Sequence, residues 1–254
     1  PRIATVTGVM NQCWAFSQFN DPTGQPSQLL LSASDGLFRI EGDKATPIVT
    51  DWTATDSFSG VNVRGPDKVI IQTGDSFRIK AEGDAGVLKG LRFRVADGKI
   101  VIGRKSGSNA WKGATATIMV TAPTLSTISL AGSGDIEAAA LTGKDAKLSI
   151  AGSGNADIAA VDAESLNVSI AGSGRMKLAG KAASAKYSIA GSGGLDAITL
   201  ASRTAKISIA GSGSATLNAT ETVDAKIAGS GNVKVSGGAK CTKSVSGSGT
   251  LDCG

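Results

Sequence analysis

The sequence contains no histidine. Without an imidazole, Ser-His-Asp and Cys-His nucleophile systems and His-ligated metal sites are excluded within one chain. Aromatic residues make up only 4% of the chain, and no aromatic-interleaved basic helix is present, so no nucleic-acid partner is expected. No apolar run approaches the ~18 residues of a membrane helix, and no lipid-anchor signal is present, so no integral membrane segment is expected. Charge of one sign is not segregated along the chain: 14 basic and 11 acidic residues precede Pro123, and 12 and 10 follow. The net +5 reads as solvated surface. The chain opens on Pro1 rather than methionine, which a removed leader or a trimmed terminus would both produce.

What is present is glycine, 34 residues in 254, together with 41% apolar content. That combination separates the chain from disordered glycine-rich sequences and points to a regular fold that accepts small side chains. At this length a real core can be buried.

Self-similarity supplies the fold. Gly-Ser-Gly recurs at Gly132-Ser133-Gly134, Gly152-Ser153-Gly154, Gly172-Ser173-Gly174, Gly191-Ser192-Gly193, Gly211-Ser212-Gly213 and Gly229-Ser230-Gly231, each after an alanine, and at Gly247-Ser248-Gly249 after a serine. The offsets are 20, 20, 19, 20, 18 and 18 residues. Flanking residues alternate apolar and polar, the period of a strand with one buried face. Ahead of the corners the inward series is Ala146, Leu148, Ile150, then Leu166, Val168, Ile170, with equivalents through Ile227; Lys147, Asn167, Lys186, Lys206 and Lys226 point outward. A unit of ~20 residues cannot bury its own apolar face, but stacked copies bury it continuously. The expected fold is therefore all-β, a parallel β-solenoid, with seven coils spanning about 34 Å at the ~4.8 Å strand spacing. The glycines serve positive φ and close approach between coils.

Residues 56 to 125 read as less regular strands divided by Gly65-Pro66, Gly83-Asp84 and Asp97-Gly98, with no helical period, and are expected to continue the solenoid as looser coils. Residues 1 to 55 read as an N-terminal extension, with a β-hairpin from Leu29–Ala33 and Leu37–Ile40 and a turn at Asn20–Gly24. It serves either as a cap on the stack or as a segment pairing with a neighbouring molecule.

The run from Phe58 to Cys253 resembles the bacterial head GIN domain family of autotransporter adhesins. The resemblance is carried by Phe58-Ser59-Gly60-Val61, Gly65-Pro66, Val69-Ile70-Ile71, Leu91 to Val95, Asp97 to Ile102, Val120 to Leu125, the Gly-Ser-Gly repeats, and Cys241 and Cys253 in that order. It implies a right-handed parallel β-helix in an exported bacterial protein, an adhesion-related role, and no catalytic residues. Residues 1 to 55 fall outside it.

By alignment of coils, Cys241 and Cys253 take inward positions in the last coil, where they can form a disulfide in an oxidising compartment or remain as small reduced core residues. Cys13 is left over, as a buried thiol or an intermolecular cross-link. The acids after the corners, Asp135, Asp157, Asp196 and Asp252, read as lying at differing offsets and so as no catalytic pair. No catalytic residue, metal or cofactor is expected: the Asp pattern lacks the regular placement of calcium repeats, and Gly-Ser-Gly lacks the following Gly-Lys-Ser/Thr of a phosphate loop. Three function classes remain: an extracytoplasmic surface or envelope adhesion protein with a glycan or protein ligand; a filament subunit or other homo-oligomer joined through solenoid ends or residues 1 to 55; and a carbohydrate-binding or carbohydrate-active β-helix, for which Trp14, Trp52 and Trp111 are the stacking candidates.

Overall fold

The structure is a computed structural model that describes residues 13–18, 29–33, 36–41, 44–53, 57–105 and 114–254, with side chains from residue 57 onward. Trp111 and the Asn20–Gly24 turn lie outside the described residues, as do the side chains of Cys13, Trp14 and Trp52.

Four strands open the chain: β1 (Cys13–Gln18), β2 (Leu29–Ala33), β3 (Gly36–Glu41) and β4 (Lys44–Thr53). Successive strands pair antiparallel, and the expected hairpin is the β2–β3 pair, closing at Ala33 opposite Gly36. The end of β4 runs antiparallel to β7 (Arg78–Glu82), with Thr50 opposite Ala81 and Thr53 opposite Arg78. That pairing joins the meander to the outermost strand of the solenoid.

The next stretch holds β5 (Gly60–Arg64), β6 (Lys68–Thr73), β7, α1 (Ala85–Gly90), β8 (Leu91–Ala96), β9 (Lys99–Arg104) and β10 (Thr117–Ala122). The expected strands are present; one reading is corrected, and one arrangement goes beyond what the sequence states. A helix does form: its six residues are too short to show a period, and it starts where the Asp84 carboxylate accepts from the Gly86 N–H at 2.8 Å. Nor do the coils follow one another in chain order. β9 and β10 stack parallel on the outer sides of β5 and β6, while β7 and β8 return antiparallel on β10 and β9. The chain then passes over the β5–β6 coil to its other side. Ser126 and Thr127 both donate their N–H groups to the Ser59 carbonyl at that crossing, 2.9 and 3.3 Å. Phe58 and Phe77 meet at this end, ring centroids 4.8 Å apart.

From here the stack is regular: β11 (Thr127–Gly132), β12 (Asp135–Ala138), β13 (Leu141–Gly152), β14 (Asn155–Gly172), β15 (Arg175–Gly191), β16 (Gly194–Gly211), β17 (Ser214–Gly229), β18 (Asn232–Ser236), β19 (Lys240–Ser246) and β20 (Thr250–Cys253). Every pair among them is parallel. The result is the all-β solenoid, of about six turns. Each coil has three faces: one ahead of the Gly-Ser-Gly corner, one after it, and a third that closes the loop.

The inward series is buried as expected. Leu130, Ile150, Ile170, Ile189, Ile209 and Ile227 form one column, each 1% exposed. Full burial of such a side chain contributes about 1.5–3 kcal/mol, and stacking repeats it once per coil. Leu141, Val161 and Leu200 line the third face, where Gly180 takes the equivalent place in its coil.

Tyr187, the chain's single tyrosine, stands in an interior column between Val168 and Ile207. Burial pushes its phenol well above the ordinary value near 10. A pKa higher in the folded than in the unfolded chain leaves stability intact below about pH 10 and removes it as pH rises beyond. Phenolate absorbance is therefore expected to develop only as the protein unfolds in alkali, and Tyr187→Phe to lessen alkaline sensitivity. A reversible titration of the folded protein near pH 10 would overturn the interior placement.

Candidate functional site

The corner has one cause, backbone crowding. The first glycine of each Gly-Ser-Gly lies at positive φ, from +118° at Gly191 to +138° at Gly132. A Cβ on Gly152 would sit 2.2 Å from the Gly132 carbonyl oxygen, and one on Gly154 would sit 2.1 Å from that of Gly134. Both glycines are thus demanded by the coil stacked beside them. The serine between them faces out; Ser230 and Ser248 share a 3.0 Å hydrogen bond.

Because the corners lock the register, outward residues also fall into columns. On the face ahead of the corner, Thr127, Lys147, Asn167, Lys186, Lys206 and Asp224 form one column. Beside it runs Ser129, Ser149, Ser169, Ser188, Ser208 and Lys226. Lys226 is outward, as read from the sequence, but stands level with Ser208 rather than Lys206. Lys99 joins the lysine column from the other end, its side chain covering Gly60 toward Thr127. The serine column was missed in the sequence, although Lys-x-Ser precedes Ile-Ala-Gly at Lys147, Lys186 and Lys206. A shallow groove of about 350 Å³ follows the two columns, lined by Lys99, Lys147 and Lys186 with Ser149, Ser169 and Ser188.

The other two faces mix charge signs. After the corner, Glu137, Asp157, Lys177, Asp196, Thr216, Lys234 and Asp252 share a column. Asp157, Asp196 and Asp252 therefore lie at one offset from their corners, correcting the sequence reading, while Asp135 occupies the neighbouring column. They still do not converge, since Lys177 separates Asp157 from Asp196 and Asp252 is three coils further. Among the described residues no cluster of acids and cysteines could hold a metal. The third face carries a groove of about 660 Å³ lined by Lys144, Asp162, Glu164, Lys181 and Arg203. Two ion pairs stand there, Lys181 with Asp162 at 3.3 Å and Arg203 with Glu221, beside the groove, at 3.9 Å.

Cys241 and Cys253 are joined by a disulfide with Cα atoms 6.6 Å apart. They continue the Val223 and Val235 columns, so the bond replaces an apolar contact across the last coil. Closing a loop of this length stabilises by about 3 kcal/mol in the chain-entropy account.

The sequence reading missed the buried pair Asp67–Arg104. Asp67 is 2% and Arg104 8% exposed. Arg104 donates from Nε to Asp67 Oδ2 at 2.9 Å and from Nη2 to Oδ1. The same carboxylate accepts from the Ala116 N–H at 2.8 Å, and Arg104 also reaches the Ala114 carbonyl at 2.9 Å. This is a two-pronged pairing of fixed geometry. No local signal announces it, because the partners are 37 residues apart.

No described helix is long and apolar enough to cross a membrane. No curated protein matches the chain. Similar solved structures include a "putative adhesin" from Bacteroides fragilis, with 26% identity, TM-score 0.74, 81% of this chain and 96% of that one covered. A "putative adhesin" from Parabacteroides merdae has 24% identity, TM-score 0.65, and 81% and 95% coverage. A "putative lipid binding protein" from Parabacteroides distasonis has 23% identity, TM-score 0.64, and 82% and 97% coverage. The family described as "Putative auto-transporter adhesin, head GIN domain" matches residues 57–239, nearly three quarters of the sequence, and the chain belongs to that family.

Proposed function

We propose that the chain is an exported bacterial surface or envelope protein of adhesive type, which acts by presenting ladders of side chains on a rigid solenoid and catalyses no reaction. The observation that carries this reading is the register: outward residues some 20 positions apart in sequence stand on adjacent rungs, a surface suited to gripping a repeating partner. Support comes from the family and from the Bacteroides fragilis neighbour. The disulfide suits an oxidising compartment.

The filament reading is disfavoured by Lys243. It stands in an interior column beneath Ala225 and is exposed there. A second copy stacked on β19 would have to bury that ammonium, and inward charges on edge strands work against such pairing.

Immobilised protein presented with a panel of surface polysaccharides and matrix proteins is expected to retain at least one of them saturably and to release no shortened product. Catalytic cleavage of a retained polymer, or no retention of any, would overturn the reading.

A further inference from the structure

The adhesive reading leaves the partner's chemistry open, and the two columns ahead of the corners narrow it. Lys147, Lys186 and Lys206 are exposed and rise from one column across four rungs, with Asn167 on the second, a span of ~14 Å. Through these rungs neither column holds an acid; Asp224 ends the lysine column, and Asp145 stands at its margin.

What sets this face apart is the lack of acids along its rows: on the face after the corner Lys177 stands between Asp157 and Asp196, and Lys234 beside Asp252. On the other faces Lys68 meets Glu137 at 2.7 Å, and Lys181 and Arg203 have carboxylate partners. Among the described residues, none of Lys147, Lys186 and Lys206 forms an ion pair. A fixed row of like charges without counter-charges carries a mutual repulsion that an anionic partner relieves. The parallel rows extend that attraction along the solenoid axis, so the partner is a linear chain of anions, not a single anion.

The second column selects among linear polyanions. Ser169, Ser188 and Ser208 are exposed and offer a hydroxyl on each rung that both donates and accepts, matching the hydroxyls of a sugar, while Ser149 Oγ donates to Ser129 Oγ at 3.0 Å. Neither column presents an aromatic ring on which a nucleobase could stack; Tyr187 lies inward, 2% exposed. Nor does the face offer apolar anchors for a lipid surface: the exposed large apolar residues among those described, Ile198 and Val245, lie outside both columns.

We propose, resting on the adhesive reading, that this face binds a linear acidic glycan lengthwise, with Lys147, Lys186 and Lys206 meeting its carboxylate or sulfate groups and the serine column meeting its hydroxyls.

The probes are fluorescent alginate and heparin oligosaccharides, with dextran, oligo-dT and phosphatidylglycerol vesicles as alternatives, read by anisotropy or co-sedimentation at two salt concentrations. The full chain is expected to bind an acidic oligosaccharide in a salt-weakened manner and dextran not at all. The triple variant Lys147→Gln, Lys186→Gln, Lys206→Gln is expected to lose about 100-fold in affinity, taking about fivefold per lysine as for a lysine at an anionic surface. The variant Lys177→Gln, Lys181→Gln, Lys234→Gln has the same net charge but alters the other faces, and should bind as the parent does. All six lysines are exposed, so both proteins should keep the parent unfolding midpoint. Equal losses in the two variants, or loss only in the second, would overturn the assignment of the face while leaving the adhesive reading standing. Tighter binding to oligo-dT or vesicles than to either acidic oligosaccharide would overturn the choice of glycan. Retention of neutral polysaccharides alone would sink the proposal but not the adhesive reading, and retention of nothing would sink both.

Discussion

Replacing Gly172 by alanine is expected to destabilise the solenoid by about 2–6 kcal/mol, a backbone-strain cost of roughly 1–3 kcal/mol added to an overpacking cost of similar size. Gly172 lies at φ +122°, and a Cβ there would stand 2.3 Å from the Gly152 carbonyl oxygen. That oxygen cannot simply retreat. It accepts from the Ser173 N–H at 3.0 Å and the Gly174 N–H at 3.2 Å, so displacing it breaks the corner it belongs to. Two control substitutions separate crowding from glycine content. Gly98 lies at φ +66° with nothing near its added Cβ, and Gly194 has only the Arg175 side chain at 3.5 Å. Gly98→Ala is expected to cost only the local strain, about 1 kcal/mol, and Gly194→Ala almost nothing. Urea midpoints followed by circular dichroism decide the matter: a Gly172→Ala shift no larger than that of Gly98→Ala would remove the crowding account.

The second large effect is at Asp67. Asp67→Ala should cost about 3–5 kcal/mol, because it removes the carboxylate that holds the buried Arg104 guanidinium on two prongs. The damage should be local, since each coil contacts only its neighbours. Asp67 and Arg104 tie the first corner to the end of β9, and Ala114 and Ala116 bring in the approach to β10. Amide exchange is expected to quicken across residues 99 to 105 and 114 to 122 while residues 146 to 229 keep their protection. Removing the charge together with its partner, as Asp67→Leu with Arg104→Met, should restore most of the loss. If the single variant exchanges like the parent, the pair is not the clasp described.

Much of the fold was legible because its determinants are local. Glycine at recurring corners, and the alternation running up to Ile150, Ile170 and Ile189, imply stacked parallel strands without knowledge of any contact. The same counting put Cys241 beneath Val223 and Cys253 beneath Val235, and the disulfide joins them. Counting back from the corner glycine would also have set Lys226 level with Ser208. Other features lay beyond counting. β5 and β9 are both short apolar strands, and nothing in either states that β9 packs outside β5 while β11 takes the opposite side. Asp67 and Arg104 read as two ordinary surface charges until the chain folds them into one buried site. The Asp84-capped helix is shorter than two turns and leaves no periodic trace.

The sequence alone therefore determined the coil: backbone sterics at Gly-Ser-Gly are settled within a few residues, and alternation chooses which side chains face inward. Only the tertiary structure decided the order in which the first coils stack, and which exposed charges become neighbours. Lys147, Lys186 and Lys206 form an unpaired row, while Lys181 and Arg203 find carboxylates, because pairing depends on the register between coils. That is a non-local property, set by the sum of interior packing and corner hydrogen bonds rather than by any lysine's own surroundings in the chain.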